Sequence, residues 1–205
     1  MRFYHHYVFP WLLDLAMSSP MLRRPRDRAL APARGRILEI GFGTGMNLRH
    51  YPPNVKRIEA IDPDLDLDRL SLPRIAKAPI AVDFHHLDAA HLPFEDARFD
   101  TVVSTFTLCS IPDVVHALAE VRRVLKPGGQ LLFLEHGRAP DPAVARWQDR
   151  LNGAWMPLAG GCHLNRPVRR LIEDAGLAPR ALQQYSLART PRFVGFLSEG
   201  VAVRE

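Results

Sequence analysis

Glu39-Ile40-Gly41-Phe42-Gly43-Thr44-Gly45-Met46-Asn47 decides how this chain is read. The apolar run Ile37-Leu38-Glu39-Ile40 leads into it, and a helical pattern from Gly45 to Tyr51 leads out. A strand that turns through glycines into a helix is the ligand-binding corner of an open α/β sheet. Ligands lie beyond the carboxyl ends of such strands, and glycines let them reach the backbone without meeting side chains. The spacing is G-x-G-x-G, with Met46 where a dinucleotide fingerprint places its third glycine, and no Lys-Ser/Thr pair follows for a nucleoside triphosphate.

Outward from this corner, short apolar runs alternate with helical patterns. Ile58–Ile61, Ile80–Val82, Thr101–Val103 and Leu131–Leu134 have the length of buried strands, with helices expected at Leu65–Ala76 and Asp113–Leu125. Parallel neighbours need crossover connections, so the alternation predicts a parallel sheet with helices on both faces. Lys126-Pro127-Gly128-Gly129 is expected to turn the chain into the fifth strand. The tail reads as an irregular insert from Pro140 to Gly161, a helix over Arg166–Ala175, and two strand-like runs, Ala181–Leu187 and Arg192–Val203, forming an antiparallel hairpin. Ahead of the sheet, Phe3–Leu22 is aromatic and amphipathic, and Arg23-Arg24-Pro25-Arg26-Asp27-Arg28 breaks its pattern with charge and proline. Residues 1–33 are therefore expected to form a helical cap on a domain spanning 34–205.

Composition limits the function. The 205 residues are 47% hydrophobic and 24% charged, which suits a globular domain and excludes disorder or a disulfide-stapled miniprotein. A net charge of +5 raises nucleic acid or an anionic membrane as partners, but Arg supplies 24 of the 27 cations and is scattered rather than clustered. Nucleic acid is not expected. Two distant cysteines, Cys109 and Cys162, define no disulfide framework and point to a reducing cytoplasm. Tyr7–Met17 carries Pro10 and Asp14 and is far shorter than the ~20 apolar residues that span a bilayer, so neither a signal peptide nor a spanning anchor is expected.

Acids lie in or at the ends of the first three strands. Asp62 ends the second, near the ~20-residue offset at which such folds place a carboxylate on ribose hydroxyls, and Asp88 follows the third, where it can accept from an exocyclic adenine amine. With Glu39 in the first strand and no basic residue in the loop, the ligand suited to these positions is a cationic nucleoside, S-adenosylmethionine. Taken in order, Glu39 to Gly45, Ile61-Asp62-Pro63, Asp88-Ala89, Arg98-Phe99-Asp100-Thr101-Val102-Val103 and Val124-Leu125-Lys126-Pro127-Gly128-Gly129 resemble the class I S-adenosylmethionine-dependent methyltransferases with a type 11 methyltransferase domain, over roughly residues 34–136. Within that superfamily the chain looks like the methyltransferase-like thiol S-methyltransferases, through Asn47 with Tyr51-Pro52-Pro53, Leu108-Cys109-Ser110, Glu135-His136, Trp147-Gln148, and Trp155 with Gly160-Gly161-Cys162-His163-Leu164-Asn165-Arg166.

The resemblance implies a Rossmann-like, doubly wound, seven-stranded sheet, mostly parallel with an antiparallel last strand. It places Gly41, Phe42 and Gly43 against the methionine part of the cofactor, with Glu39 supporting the loop. Asp62 and Pro63 would take the ribose, Asp88 and Ala89 the adenine, and Thr105 and Leu108 the methyl-transfer end. A small apolar acceptor is implied, a thiol by preference, with O- or N-methylation of a lipid, quinol or natural product as the alternative. Membrane-bound members of this branch carry a longer apolar N-terminal anchor; here the aromatic cap is expected as a lid, with peripheral membrane contact as its second reading. His136 and His163 are the candidate bases. Cys162-His163, with Cys109 distant, lack the donor spacing of zinc, and no metal is expected.

Overall fold

The computed structural model describes residues 3–205, so Met1 and Arg2 of the expected cap lie outside the described residues. Seven strands form one sheet: β1 (Ile37–Ile40), β2 (Arg57–Ile61), β3 (Ala81–His85), β4 (Phe99–Thr105), β5 (Leu125–His136), β6 (Leu177–Ser186) and β7 (Phe196–Arg204), in the order β3-β2-β1-β4-β5-β7-β6. β1 pairs in parallel with both β2 and β4, β2 with β3 and β4 with β5, while β7 runs antiparallel between β5 and β6. The chain winds outward from β1 to β3 and then returns to β4 on the other side of β1. That reversal puts the topological switch point, where open sheets bind ligands, at the glycine loop.

Both sheet faces are apolar, as the continuous hydrophobic runs require. Leu38, Val102, Leu131 and Phe133 face one core, beneath α4 (Val114–Val124) and α6 (Val168–Asp174); Ile37, Val103 and Leu132 face the other, with Leu30 of α2 (Arg23–Leu30). Asp113 caps α4 by accepting the His116 backbone N–H at 3.1 Å, and Val114, Ala117, Leu118, Val121 and Val124 recur at helical spacing on its buried side.

Four expectations change. The tract Arg23 to Arg28 is helix rather than a break, because Pro25 lies in the first turn of α2, where its missing N–H costs nothing. The Pro140–Gly161 insert is mostly a helix, α5 (Pro142–Leu158), begun by an Asp141 cap that accepts the backbone N–H groups of Ala143 and Val144. The helix expected at Gly45–Tyr51 shrinks to a single 3-10 turn, Met46–Arg49, followed by Pro52-Pro53. Lys126 to Gly129 do not precede β5 but bulge within it: the register jumps from Phe99 opposite Leu125 to Thr101 opposite Gln130. The π-helical turn Tyr4–Val8 and α1 (Phe9–Met17) lie over the loops at the carboxyl ends of the strands, α2 packs along the sheet face against β5 and β7, and α3 (Asp68–Ile75) follows β2.

Candidate active site

Gly41 has φ +66°, and a Cβ there would stand 2.1 Å from Thr107 Oγ1, so this corner admits only glycine. At Gly43, φ +58°, an added Cβ would meet nothing closer than the Gly41 carbonyl at 4.0 Å; the loop opens there onto free space. Asp62 braces the loop, accepting the Gly43 N–H at 2.7 Å on one carboxylate oxygen and the Asp64 N–H at 2.9 Å on the other.

Behind the loop lies a buried polar network. Glu39 accepts from Tyr51 Oη at 2.6 Å and Asn47 Nδ2 at 2.9 Å, and burial pushes its carboxyl up to about 7. Asn47 Nδ2 also donates to Thr105 Oγ1, while Asn47 Oδ1 accepts from Arg26 of α2. Arg26 is 4% exposed and lowered to about 10 by burial, and its Nε has no hydrogen-bond partner. Composition and spacing gave no sign of this cation at the loop, since it enters from the tract taken for a break. Glu135 plays the matching part after β4: it accepts from Ser104 Oγ and the Thr107 N–H, and burial raises it to about 7.

These parts border one cavity of roughly 1110 Å³. That exceeds the ~300–1,000 Å³ of a typical small-ligand site, so the space suits a cofactor together with an acceptor. Gly41, Phe42, Gly43, Asp62 and Pro63 line one end, joined by Asp88, Ala89, Thr105 and Arg26. Glu39 does not reach the wall and supports it from behind through Asn47 and Tyr51. Leu108, expected at the methyl-transfer end, is instead fully buried in the main core, because the turn after β4 points its side chain inward; its carbonyl accepts from Arg166. The opposite wall carries Cys109, His136 and Cys162. His163 is absent from that wall: its ring is 3.3 Å from Asn152 Nδ2, and its N–H donates to the Cys109 carbonyl. Cys109, distant from Cys162 in sequence, is its neighbour in space. Hydrogen bonding to Cys162, with burial, holds the Cys109 thiol well above its ordinary value, and the same bond lowers Cys162.

The roof is the cap. Phe9, Leu12, Leu13 and Ala16 of α1 face the cavity, and the Phe9 ring rests on Gly160 beside Cys162. Arg74 fastens this roof to the floor: it donates to both Asp14 oxygens, at 2.6 and 2.9 Å, and to the Thr44 carbonyl of the glycine loop at 2.7 Å. Tyr4 Oη donates to the Leu158 carbonyl at 2.9 Å, closing the far side. Asp66 meets His6, and Asp27 meets His50 at 2.6 Å.

Residues 38–133 match the model of the methyltransferase domain family. The thiol S-methyltransferase TMT1B of Homo sapiens is 34% identical over 189 residues, covering 82% of this chain and 74% of that protein. The chain belongs to the S-adenosylmethionine-dependent methyltransferases. TMT1B of Rattus norvegicus is also 34% identical, over 68% of this chain but only 58% of its own length, so the chain spans little more than half of that relative. A demethylmenaquinone methyltransferase of Clavibacter sepedonicus is 36% identical over 68% of this chain and 57% of its own. Among solved structures, a geranyl diphosphate methyltransferase in complex with its methyl donor superposes with a TM-score of 0.67 at 15% identity, covering 89% of this chain and 84% of that one, a likeness of fold.

The residues present fit the family's methyl donor. Open space at Gly43, carboxylates at Asp62 and Asp88 for the nucleoside, and the Arg26 guanidinium on the cavity wall for an α-carboxylate together match a ligand with an amino-acid end and a nucleoside end.

Proposed function

We propose that this chain transfers a methyl group from S-adenosylmethionine to a small, largely apolar thiol. The observation that carries this reading is the shared cavity, with the glycine loop at one end and the Cys109–His136–Cys162 wall at the other under an apolar lid. The TMT1B relatives support the choice of a thiol.

Bound here, the cofactor would supply an electrophilic methyl on a sulfonium, open to in-line displacement by an acceptor lone pair with a neutral thioether as leaving group. Asp62 and Pro63 would hold the ribose, Asp88 and Ala89 the adenine, and Gly41 to Gly43 the methionine backbone. Arg26 would pair with its carboxylate, and Thr105, held by Asn47 and Arg26, would line the path of the methyl group. No residue of the chain need act as a nucleophile. The protein's contribution is alignment, which can supply up to ~7–11 kcal/mol when the reacting atoms are held in line, and exclusion of water by α1. A thiol with a pKa near ~8.5 is already a few per cent thiolate at neutral pH, so it needs only modest help. That help comes through His136, the imidazole of the acceptor wall.

The second reading, methylation of a quinol ring, is supported by the menaquinone-pathway relative. The outer face of the cap gives a further proposal. Phe3, Tyr7 and Trp11 are exposed, as are Arg23 and Arg24 of the same cap, and we assign this face a peripheral contact with membrane, from which an apolar acceptor would enter. No helix among the described residues is long and apolar enough to cross a bilayer. The test of the main reading is turnover of alkyl and aryl thiols in the presence of S-adenosylmethionine, read as methyl thioether formed. Folded, cofactor-binding protein that methylates none of them refutes it.

A further inference from the structure

Three separate parts of the chain converge at the acceptor wall: the loop after β4 with Cys109, the last residue of β5, His136, and the segment after α5 with Cys162. Their two thiol sulfurs and an imidazole nitrogen lie within 4.8 Å of one another, and Cys162 Sγ is 3.6 Å from His136 Nδ1. A tetrahedral zinc ion with Zn–S of about 2.3 Å and Zn–N of about 2.0 Å has S···N edges of about 3.5 Å and S···S edges of about 3.8 Å. The pair spaced at 3.6 Å lies within about 0.1 Å of that edge, and the widest gap needs at most about 1.3 Å of side-chain closure.

His136 is 5% exposed and turns Nδ1 toward Cys162 Sγ, so the nitrogen that would hold an ion is already aimed into the cluster. Two thiolates and an imidazole are soft and borderline donors that select zinc over magnesium or calcium. Three protein ligands beside a cavity are the arrangement of an open zinc site, which keeps its fourth position for a reactant.

We propose that Cys109, His136 and Cys162 hold a zinc ion whose fourth position faces the cavity, and that the acceptor thiol binds there as a thiolate. This rests on the reading of the cavity as a thiol site and says how His136 helps: as a ligand. On binding, the acceptor loses its S–H proton to solvent, because a thiol coordinated to zinc is deprotonated outright. Its sulfur lone pair then forms the new bond to the methyl carbon. The electron pair of the broken carbon–sulfonium bond stays on the leaving sulfur, and the product thioether, a weaker ligand, departs. No redox change occurs at any atom.

The experiment is a cobalt(II) titration of the full chain, freed of metal with a chelator and kept in a phosphine reductant so that Cys109 and Cys162 remain thiols. The expected result is one equivalent bound, with intense thiolate-to-cobalt charge-transfer absorption and the visible bands of a tetrahedral site. Zinc should displace it, and an aryl thiol should shift the visible bands. Cys109→Ser and Cys162→Ser should each weaken binding by roughly 100-fold, whereas His163→Gln, outside the cluster, should keep the spectrum. Absence of charge-transfer bands in folded wild-type protein overturns the site, as does their survival in the double Cys→Ser variant. Undiminished thiol turnover by cobalt-free, zinc-free protein overturns the metal and leaves the thiol acceptor standing. Cobalt bands in a protein that methylates no thiol keep the metal site and overturn the acceptor reading.

Discussion

Asp62 has two tasks at one carboxylate. It fixes the glycine loop through the Gly43 N–H, and it stands on the cavity wall where ribose hydroxyls would reach its remaining lone pairs. Hydrogen bonds to a charged group contribute about 1.5–3 kcal/mol, so Asp62→Ala should lower cofactor affinity by roughly 10–100-fold in calorimetry. Arg26→Met should act on the same measurement through the cofactor's carboxylate, and unchanged affinity in both variants would contradict the placement. Glu39 gives a separate, pH-dependent signature. Its carboxyl is raised from 4.5 to about 7 by burial, so the folded state keeps a proton that the unfolded chain releases. Its contribution to stability is full below pH 4.5 and is lost as pH rises through 7. Urea unfolding of wild type and Glu39→Gln should therefore diverge in slope against pH across that window; parallel curves would show that Glu39 does not titrate there.

At the scale of elements, the cap is held by few contacts that matter. Arg74 joins α3, α1 and the glycine loop, and the Asp14 side chain is 17% exposed against 34% for Arg74, so water screens the pair only partly. Asp14→Ala should loosen α1 at a cost on the order of 1 kcal/mol. The acceptor KM should rise several-fold while cofactor affinity changes less, and hydrogen exchange should quicken in α1. Equal loss of both affinities would mean that the cap is part of the cofactor site rather than a lid. The sheet was legible because its strands are buried on both faces and so appear as unbroken apolar runs. Helices α2 and α5 were harder, since Pro25 and Pro142 occupy first turns and Pro157 the last turn of α5, and α2 is half arginine, of which Arg26 alone is buried, on partners far along the chain. In α5 a signal was present and missed: Asp141-Pro142 is a cap followed by a proline at the first helical position.

Across the whole molecule, the cofactor end of the cavity was more legible than the acceptor end. Gly41, Gly43, Asp62 and Asp88 lie on loops that follow consecutive strands, and strand order alone brings them together. Cys109, His136 and Cys162 meet only because β5 lies next to β4 and the chain after α5 folds back over both; no local pattern encodes that meeting. The positive charge is also spread: Arg28, Arg36, Arg57, Arg98, Arg123 and Arg138 pair with carboxylates. The central claim is the nature of the acceptor, and the most direct test compares an aryl thiol with the phenol of the same shape, under identical cofactor, by methylated product formed per minute. The account predicts turnover of the thiol and at most a trace from the phenol; methylation of the phenol, or of a quinol, with the thiol left untouched would contradict it.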